Sequence, residues 1–230
     1  MRMRHKKHEQ ERLLACSPVL IRSEEKERLL ADPQSFFPAP APLHLEIGCG
    51  KGQFACKMAS AHPECNFIAM ERVSNVLCNA AENGMTRLNG HNPDNLRFMT
   101  ANATDLCELL PPSSVERIYL NFSDPWPKAK HERRRLTAAP FLSLYRAIVV
   151  PGGLLQFKTD NEGLFDFSLS QFESMGLPLL FLTRDLHRCP SDSPFVTGNQ
   201  TTEYEDKFTA AGMPIHMAVV RLKDEVSHGE

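Results

Sequence analysis

From position 43 the chain alternates between short apolar runs and stretches whose apolar residues recur at helical spacing, with turn-forming clusters between them. Apolar runs over 43–47, 66–70, 95–100 and 115–122 predict strands, and helical spacing predicts helices from the end of a glycine-rich loop to 60, over 73–82 and over 105–110. A further helix is expected over 137–149, stopped by Pro151-Gly-Gly153, with a strand over 154–159 and a helix over 163–175. Strands alternating with helices predict an α/β fold built on a mostly parallel, doubly wound sheet.

The tail departs from this rhythm. Apolar strands over 177–183 and 213–222 are separated by a long segment with a helical signal only near 203–210. Such an excursion is compatible with a closing antiparallel hairpin, so a late antiparallel strand is expected, although the sequence leaves its pairing open. The first forty residues are charged and proline-punctuated, with short helical stretches near 9–14 and 24–30. The expected organisation is an N-terminal appendage over 1–40, a main domain over 41–223 and a polar tail over 224–230.

A length of 230 residues, with 42% hydrophobic and 23% charged, suits one globular α/β domain with decorations. No apolar run approaches the roughly 18 residues of a membrane span. The N-terminus, Met1-Arg-Met-Arg-His-Lys-Lys-His-Glu-Gln10, lacks the apolar segment of a secretory signal, so a cytoplasmic protein without a membrane partner is expected. Seven cysteines, an odd number with no Cys-x-x-Cys pair, argue against a disulfide scaffold or a zinc knuckle, and no metal is expected. Cys49 reads as a small residue in a tight turn, the alternative being a reactive thiol.

Glu46-Ile-Gly48-Cys-Gly50-Lys-Gly52 follows the first main strand, and glycines there let the backbone turn tightly and approach a ligand. The third glycine arrives too early for a dinucleotide fingerprint, and Gln53 replaces the Ser/Thr of a phosphate loop. A ligand with cationic or amino groups and no pyrophosphate suits Glu46 better. Glu71 ends the second main strand, where open α/β sheets place a carboxylate on a ribose diol. Asn102 can hydrogen-bond an adenine edge, and Asp105 is expected to cap the short helix that follows.

The densest chemistry lies in mid-chain. Asp124-Pro-Trp126-Pro-Lys128 follows a strand and leads into Lys130-His-Glu-Arg-Arg-Arg135, five basic residues against one acidic between 128 and 135, in a chain with 26 basic and 28 acidic residues overall. Such a local patch can be a solvated face, or it can neutralise phosphates, with Arg binding them bidentately. Trp126 can stack a base or fill a core, and Tyr204 has the same two readings. Thr202-Glu203-Tyr204-Glu205 has the spacing of a capping box, and Asp160 can cap the helix that follows it or accept from a substrate.

Five motifs, Leu45-Glu-Ile-Gly-Cys-Gly-Lys-Gly-Gln-Phe54, Leu120-Asn-Phe-Ser-Asp-Pro-Trp-Pro-Lys128, His131-Glu-Arg-Arg-Arg-Leu136, Phe157-Lys-Thr-Asp-Asn161 and Thr202-Glu-Tyr-Glu-Asp-Lys-Phe208, resemble those of the tRNA (guanine-N7)-methyltransferase family, in the same order. The resemblance implies a Rossmann-like class I methyltransferase fold. It also implies S-adenosylmethionine as cofactor, tRNA as partner and methylation of guanosine 46 in the variable loop. Carried over by motif, Glu46, Glu71, Asn102 and Asp124 fall at cofactor-contacting positions, with Gly48 and Gly50 in the cofactor loop and Asp124 also the expected catalytic residue. Lys128, Asp160, Thr202, Glu203, Tyr204 and Glu205 fall at substrate-binding positions, and Lys130, His131, Arg133, Arg134 and Arg135 in the RNA-contacting segment. Asn102 departs from the acidic residue common at its position but keeps an acceptor oxygen. The stretch over 4–20 lacks the tryptophan-containing segment of the family. Monomer and homodimer both remain open. Two rival readings are a class I methyltransferase acting on a small molecule or protein, which leaves the basic run unused, and a noncatalytic RNA-binding module.

Overall fold

The computed structural model describes residues 9–86, 94–190 and 192–225. The basic N-terminal residues up to 8 and the end of the expected polar tail, 226–230, lie outside them. The chain divides into two compact units, Met1–Leu110 and Pro111–Glu230.

The first unit contains α1 (Glu9–Ala15), β1 (Leu20–Ile21), α2 (Lys26–Ala31), β2 (Leu43–Ile47), α3 (Gln53–Ala61), β3 (Asn66–Glu71), α4 (Ser74–Thr86), β4 (Leu96–Thr100) and α5 (Leu106–Leu109). Its strands lie in the order β1-β4-β3-β2, and every described pairing is parallel. All five residues of β2 are buried, as expected where helices cover both faces of a parallel sheet and the strand reads as a continuous apolar run. Gly52 starts α3 at φ +73°, and a Cβ there would stand 2.8 Å from the Phe98 ring and 2.9 Å from Ala80. Only glycine allows that turn and that approach of helix to sheet.

The expected appendage is tied to this unit. β1 pairs in parallel with β4, Leu20 opposite Phe98 and Ile21 opposite Met99. Arg12 on α1 holds both carboxylate oxygens of Glu82 on α4, at 2.6 and 2.5 Å, and donates to Asn79 at 3.0 Å. A two-residue strand carries no periodicity, which is why the sequence did not reveal β1.

The second unit contains β5 (Val115–Asn121), α6 (Ala139–Ile148), β6 (Val149–Thr159), α7 (Glu162–Ser174), β7 (Leu179–Thr183), α8 (Pro194–Thr197), α9 (Glu203–Ala210) and β8 (His216–Arg221). The order is β5-β6-β8-β7, with β5 and β6 parallel and β8 antiparallel to both of its neighbours. The late reversed strand is therefore present, inserted between β6 and β7. Ile215, Met217 and Val219 form a buried cluster with Leu186, against which Phe122 and Phe208 pack.

Several boundaries differ from expectation, among them the start of β6 and the start of α6. β6 begins at Val149 and runs through Pro151-Gly-Gly153, because the strand bulges: Val115 pairs with Val149, and the next paired residue, Arg117, meets Leu154. Helix α6 starts at Ala139 rather than Thr137, because the buried Thr137 hydroxyl shares a 2.7 Å hydrogen bond with Ser168. The Ala139 N–H donates to Gln171 of α7 at 3.0 Å.

Candidate active site

In the first unit the carboxyl ends of β2, β3 and β4 gather the glycine loop, Glu71 and Asn102, the place where open α/β sheets bind ligands. The Gly48 and Cys49 N–H groups both donate to Met70 O, at 2.8 and 2.9 Å, fixing the loop against the end of β3. Gly50 sits at φ +55°, and its N–H donates to the Glu71 carboxylate at 3.2 Å. The other Glu71 oxygen accepts from Val73 N–H at 2.9 Å. Each carboxylate oxygen has two acceptor directions, so Glu71 can brace the loop and still receive a hydroxyl. Nothing lies within 4 Å of where a Cβ would stand on Gly48 or Gly50. Glu46 is buried at the end of β2.

Asn102 is the capping residue of the turn after β4, its side-chain oxygen accepting from Thr104 N–H at 3.3 Å. Asp105, expected to be the cap, makes no capping hydrogen bond and instead accepts from the Thr104 hydroxyl at 2.8 Å. Asn102 nonetheless remains exposed, with its amide NH2 as a donor. The Cys49 thiol is buried, and burial together with the Glu46 and Glu71 carboxylates pushes its pKa well up. That favours the small-residue reading over the reactive thiol.

In the second unit β5 ends in a turn bounded by two residues in the left-handed region, Phe122 at φ +52° and Trp126 at φ +41°. Between them the Asp124 side chain is exposed. Trp126 belongs neither to the core nor to an open stacking face. It is half-buried, its ring 5.7 Å from the His131 ring and 4.9 Å from the Arg134 guanidinium. The basic run forms a 3-10 helix, Ala129–Arg134, entered from Lys128. Lys128 at its start and Lys130, Arg133 and Arg134 on it are exposed, within reach of phosphates, and His131 is half-buried.

Arg135 differs from the expectation for the run. It is 8% exposed, and its guanidinium turns back to donate to Pro125 O at 3.0 Å and Trp126 O at 3.1 Å. The same group lies over the Phe167 ring at 4.3 Å. An RNA phosphate would have to displace these partners to reach it.

At the carboxyl end of β6, Asn161 rather than Asp160 caps α7, accepting from Leu164 N–H at 2.8 Å. Asp160 is thus spared capping, and it is only half-buried. Burial first, and then the nearby Asp160 carboxylate, raise the Tyr204 pKa. The Tyr204 ring is 44% exposed, stacked on Phe208 at 4.3 Å and 5.0 Å from Phe122, so it forms a ledge rather than core filling.

Glu205 does not present itself to a substrate. It is fully buried and pairs with Lys158 of β6, also fully buried, at 2.7 Å. Lys158 completes its coordination with Asn199 at 3.0 Å and Gln200 O at 2.9 Å, and Glu205 also meets Asn199 and His187, each at 3.2 Å. The capping box is formed as its spacing predicted, with Glu205 N–H on the Thr202 hydroxyl at 2.9 Å and Thr202 N–H on the Glu205 carboxylate at 3.4 Å. Thr202 and Glu203 are only half-buried. Among the described residues, no group of three or more His, Cys, Asp or Glu could hold a metal ion, and no helix is long and apolar enough to cross a membrane.

A family model described as "Putative methyltransferase" matches residues 40–218. The chain is 46% identical over 184 residues to a tRNA (guanine-N(7)-)-methyltransferase of Lachnoclostridium phytofermentans, covering 80% of this chain and 82% of that protein. It is 38% identical over 223 residues to a protein of the same name from Bacillus subtilis (strain 168), covering 97% and 100%. The chain belongs to the tRNA (guanine-N7)-methyltransferase family. The solved structure of a 16S rRNA methyltransferase, KamB, superposes with a TM-score of 0.59 at 16% identity, covering 87% of this chain and 94% of that one. At that identity it shows the fold, which is the Rossmann-like class I methyltransferase fold.

Within this member of the family, the residues missed by sequence reasoning are Lys158, Asn199 and His187 around Glu205. One signal was available, a lysine between Phe157 and Thr159 inside a strand expected to lie in the sheet. A buried lysine needs a partner, and Glu205 is the one the fold supplies.

Proposed function

We propose that the protein transfers a methyl group from S-adenosylmethionine to N7 of guanosine 46 in the variable loop of tRNA. The observation that carries this reading is an exposed Asp124 carboxylate leading directly into four exposed cations, in a chain similar nearly end to end to proteins named for that activity. When bound, S-adenosylmethionine would supply an electrophilic sulfonium methyl. The first unit fits it: Gly48 and Gly50 leave the loop backbone open, Glu71 would hold the ribose hydroxyls and the Asn102 amide would meet the adenine edge.

Guanine N7 carries a lone pair and no proton, so the reaction needs no general base, and orientation of the base is the main task. Asp124 can accept from the guanine ring N–H or amino group, and its charge offsets the positive charge that develops on the purine. Asp160, which leaves the capping of α7 to Asn161, is a second acceptor. Lys128, Lys130, Arg133 and Arg134 would neutralise phosphates near the base. The test is incubation with methyl-labelled S-adenosylmethionine and unmodified tRNA, followed by nucleoside analysis. Label in 7-methylguanosine is expected; label in another nucleoside, or only in small metabolites, would overturn the reading.

Glu71→Ala is expected to weaken S-adenosylmethionine by about 1.5–3 kcal/mol, the worth of charge-assisted hydrogen bonds to the diol. tRNA affinity should hold. Calorimetry that finds wild-type cofactor affinity in the folded variant would remove Glu71 from the cofactor site.

Joint replacement of Arg133 and Arg134 by Ala is expected to weaken tRNA binding. The slope of log affinity against log salt should flatten by about 0.7 for each lost single-stranded phosphate contact, or about 0.9 for each duplex one. A salt series with an unchanged slope would assign both arginines to ordinary solvated surface.

A further inference from the structure

We infer that Arg135 is a positioning residue that holds the Asp124 turn in its working shape, and is not part of the RNA-contacting face of the basic run. Three consecutive arginines have separate fates here. Arg133 is exposed, Arg134 is exposed with its guanidinium over the Trp126 ring, and Arg135 is buried with its guanidinium on the backbone of the turn. Its Nε and Nη2 donate to Pro125 O and Trp126 O, the two carbonyls that follow Asp124.

The turn needs such a brace. Phe122 and Trp126 both occupy the left-handed region, where a non-glycine residue persists only if its surroundings over-determine it. Two hydrogen bonds from one planar, rigid fork fix two successive carbonyls in one relative orientation, which a single ammonium cannot do. The fork is itself held on the far side by the Phe167 ring of α7 and by Glu132 at 3.7 Å. Its backbone is pinned on both sides, Arg135 N–H to Glu132 O at 3.0 Å and Ala138 N–H to Arg135 O at 2.9 Å. The positive charge therefore serves the geometry of the carboxylate turn from inside, while Arg133 and Arg134 remain exposed.

Trp126 is the single tryptophan of the chain, so its fluorescence reports the state of this turn without labelling. The test uses the full-length Arg135→Lys and Arg135→Met variants and three readouts: tryptophan emission, the single-turnover methylation rate with both substrates saturating, and the salt dependence of tRNA binding. Arg135→Lys keeps the charge and serves if the Met variant does not fold. In both variants the emission should move to longer wavelength as the ring leaves His131 and Arg134. The rate should fall by roughly 10²-fold, as small misplacements of positioned groups do. The salt slope should stay at the wild-type value, because no phosphate contact is lost.

A slope reduced by one contact with unaltered emission would make Arg135 an RNA ligand and overturn the inference. Unaltered emission and rate in Arg135→Lys would overturn it as well, since charge alone would then suffice. The rate arm rests on the proposed methylation. If the wild-type protein makes no 7-methylguanosine that reading fails by itself, while the emission of the two variants still decides whether Arg135 holds the turn.

Discussion

Asp124→Asn is expected to lower the single-turnover rate of methyl transfer by roughly 10²-fold with both substrates saturating, with tRNA affinity close to wild type. The substitution keeps the size of the side chain and one acceptor oxygen, so the guanine can still be oriented in part. It removes the negative charge that offsets the developing charge on the purine, and that interaction strengthens only as the reaction proceeds. A loss confined to the rate is the signature of such a group. The exposed position of Asp124 at the rim of the turn keeps its contribution to folding small, so the variant should fold. If rapid-quench measurements at saturation return the wild-type rate, Asp124 is not the key carboxylate, and Asp160, at the end of the neighbouring strand β6, takes its place.

The second large effect concerns stability. Lys158→Met is expected to destabilise the second unit by about 3–5 kcal/mol, because it leaves the fully buried Glu205 carboxylate without its cation. Glu205→Leu should cost a similar amount by stranding the Lys158 ammonium. The double variant Lys158→Met/Glu205→Leu should recover much of the loss, since a buried ion pair replaced by apolar residues of similar volume is often neutral. Its methylation should remain impaired, because Asn199, Gln200 O and Thr202 N–H lose their partners and the start of α9, which carries Tyr204, is no longer pinned to β6. Thermal unfolding followed by circular dichroism measures the first part. Wild-type midpoints in both single variants would show that this pair does not anchor the 199–205 segment.

The sequence made legible those features whose cause is local. The glycine loop after β2, the carboxylate at the end of β3 and the capping box at Thr202 each follow from spacing within a few residues, and the structure places them where that spacing implies. Features governed by distant partners were not legible. Glu205 reads as an ordinary helix-start carboxylate until Lys158, 47 residues away, is brought beneath it. Arg135 reads as one more cation of a basic run, and only the return of the chain past Pro125, with Phe167 from α7, turns its guanidinium inward. The Pro151-Gly-Gly153 tripeptide has the composition of a stop, yet a bulge lets β6 pass through it.

Two tRNA transcripts that differ at a single atom test the account most directly. One carries guanosine at position 46 of the variable loop and the other 7-deazaguanosine, which keeps the ring N–H and amino group but has carbon in place of N7. The account predicts methyl transfer from S-adenosylmethionine to the first at one methyl per tRNA, none to the second, and comparable binding of both. Equal methylation of the two transcripts would contradict it, because the methyl group would then go to some atom other than N7 of that guanosine.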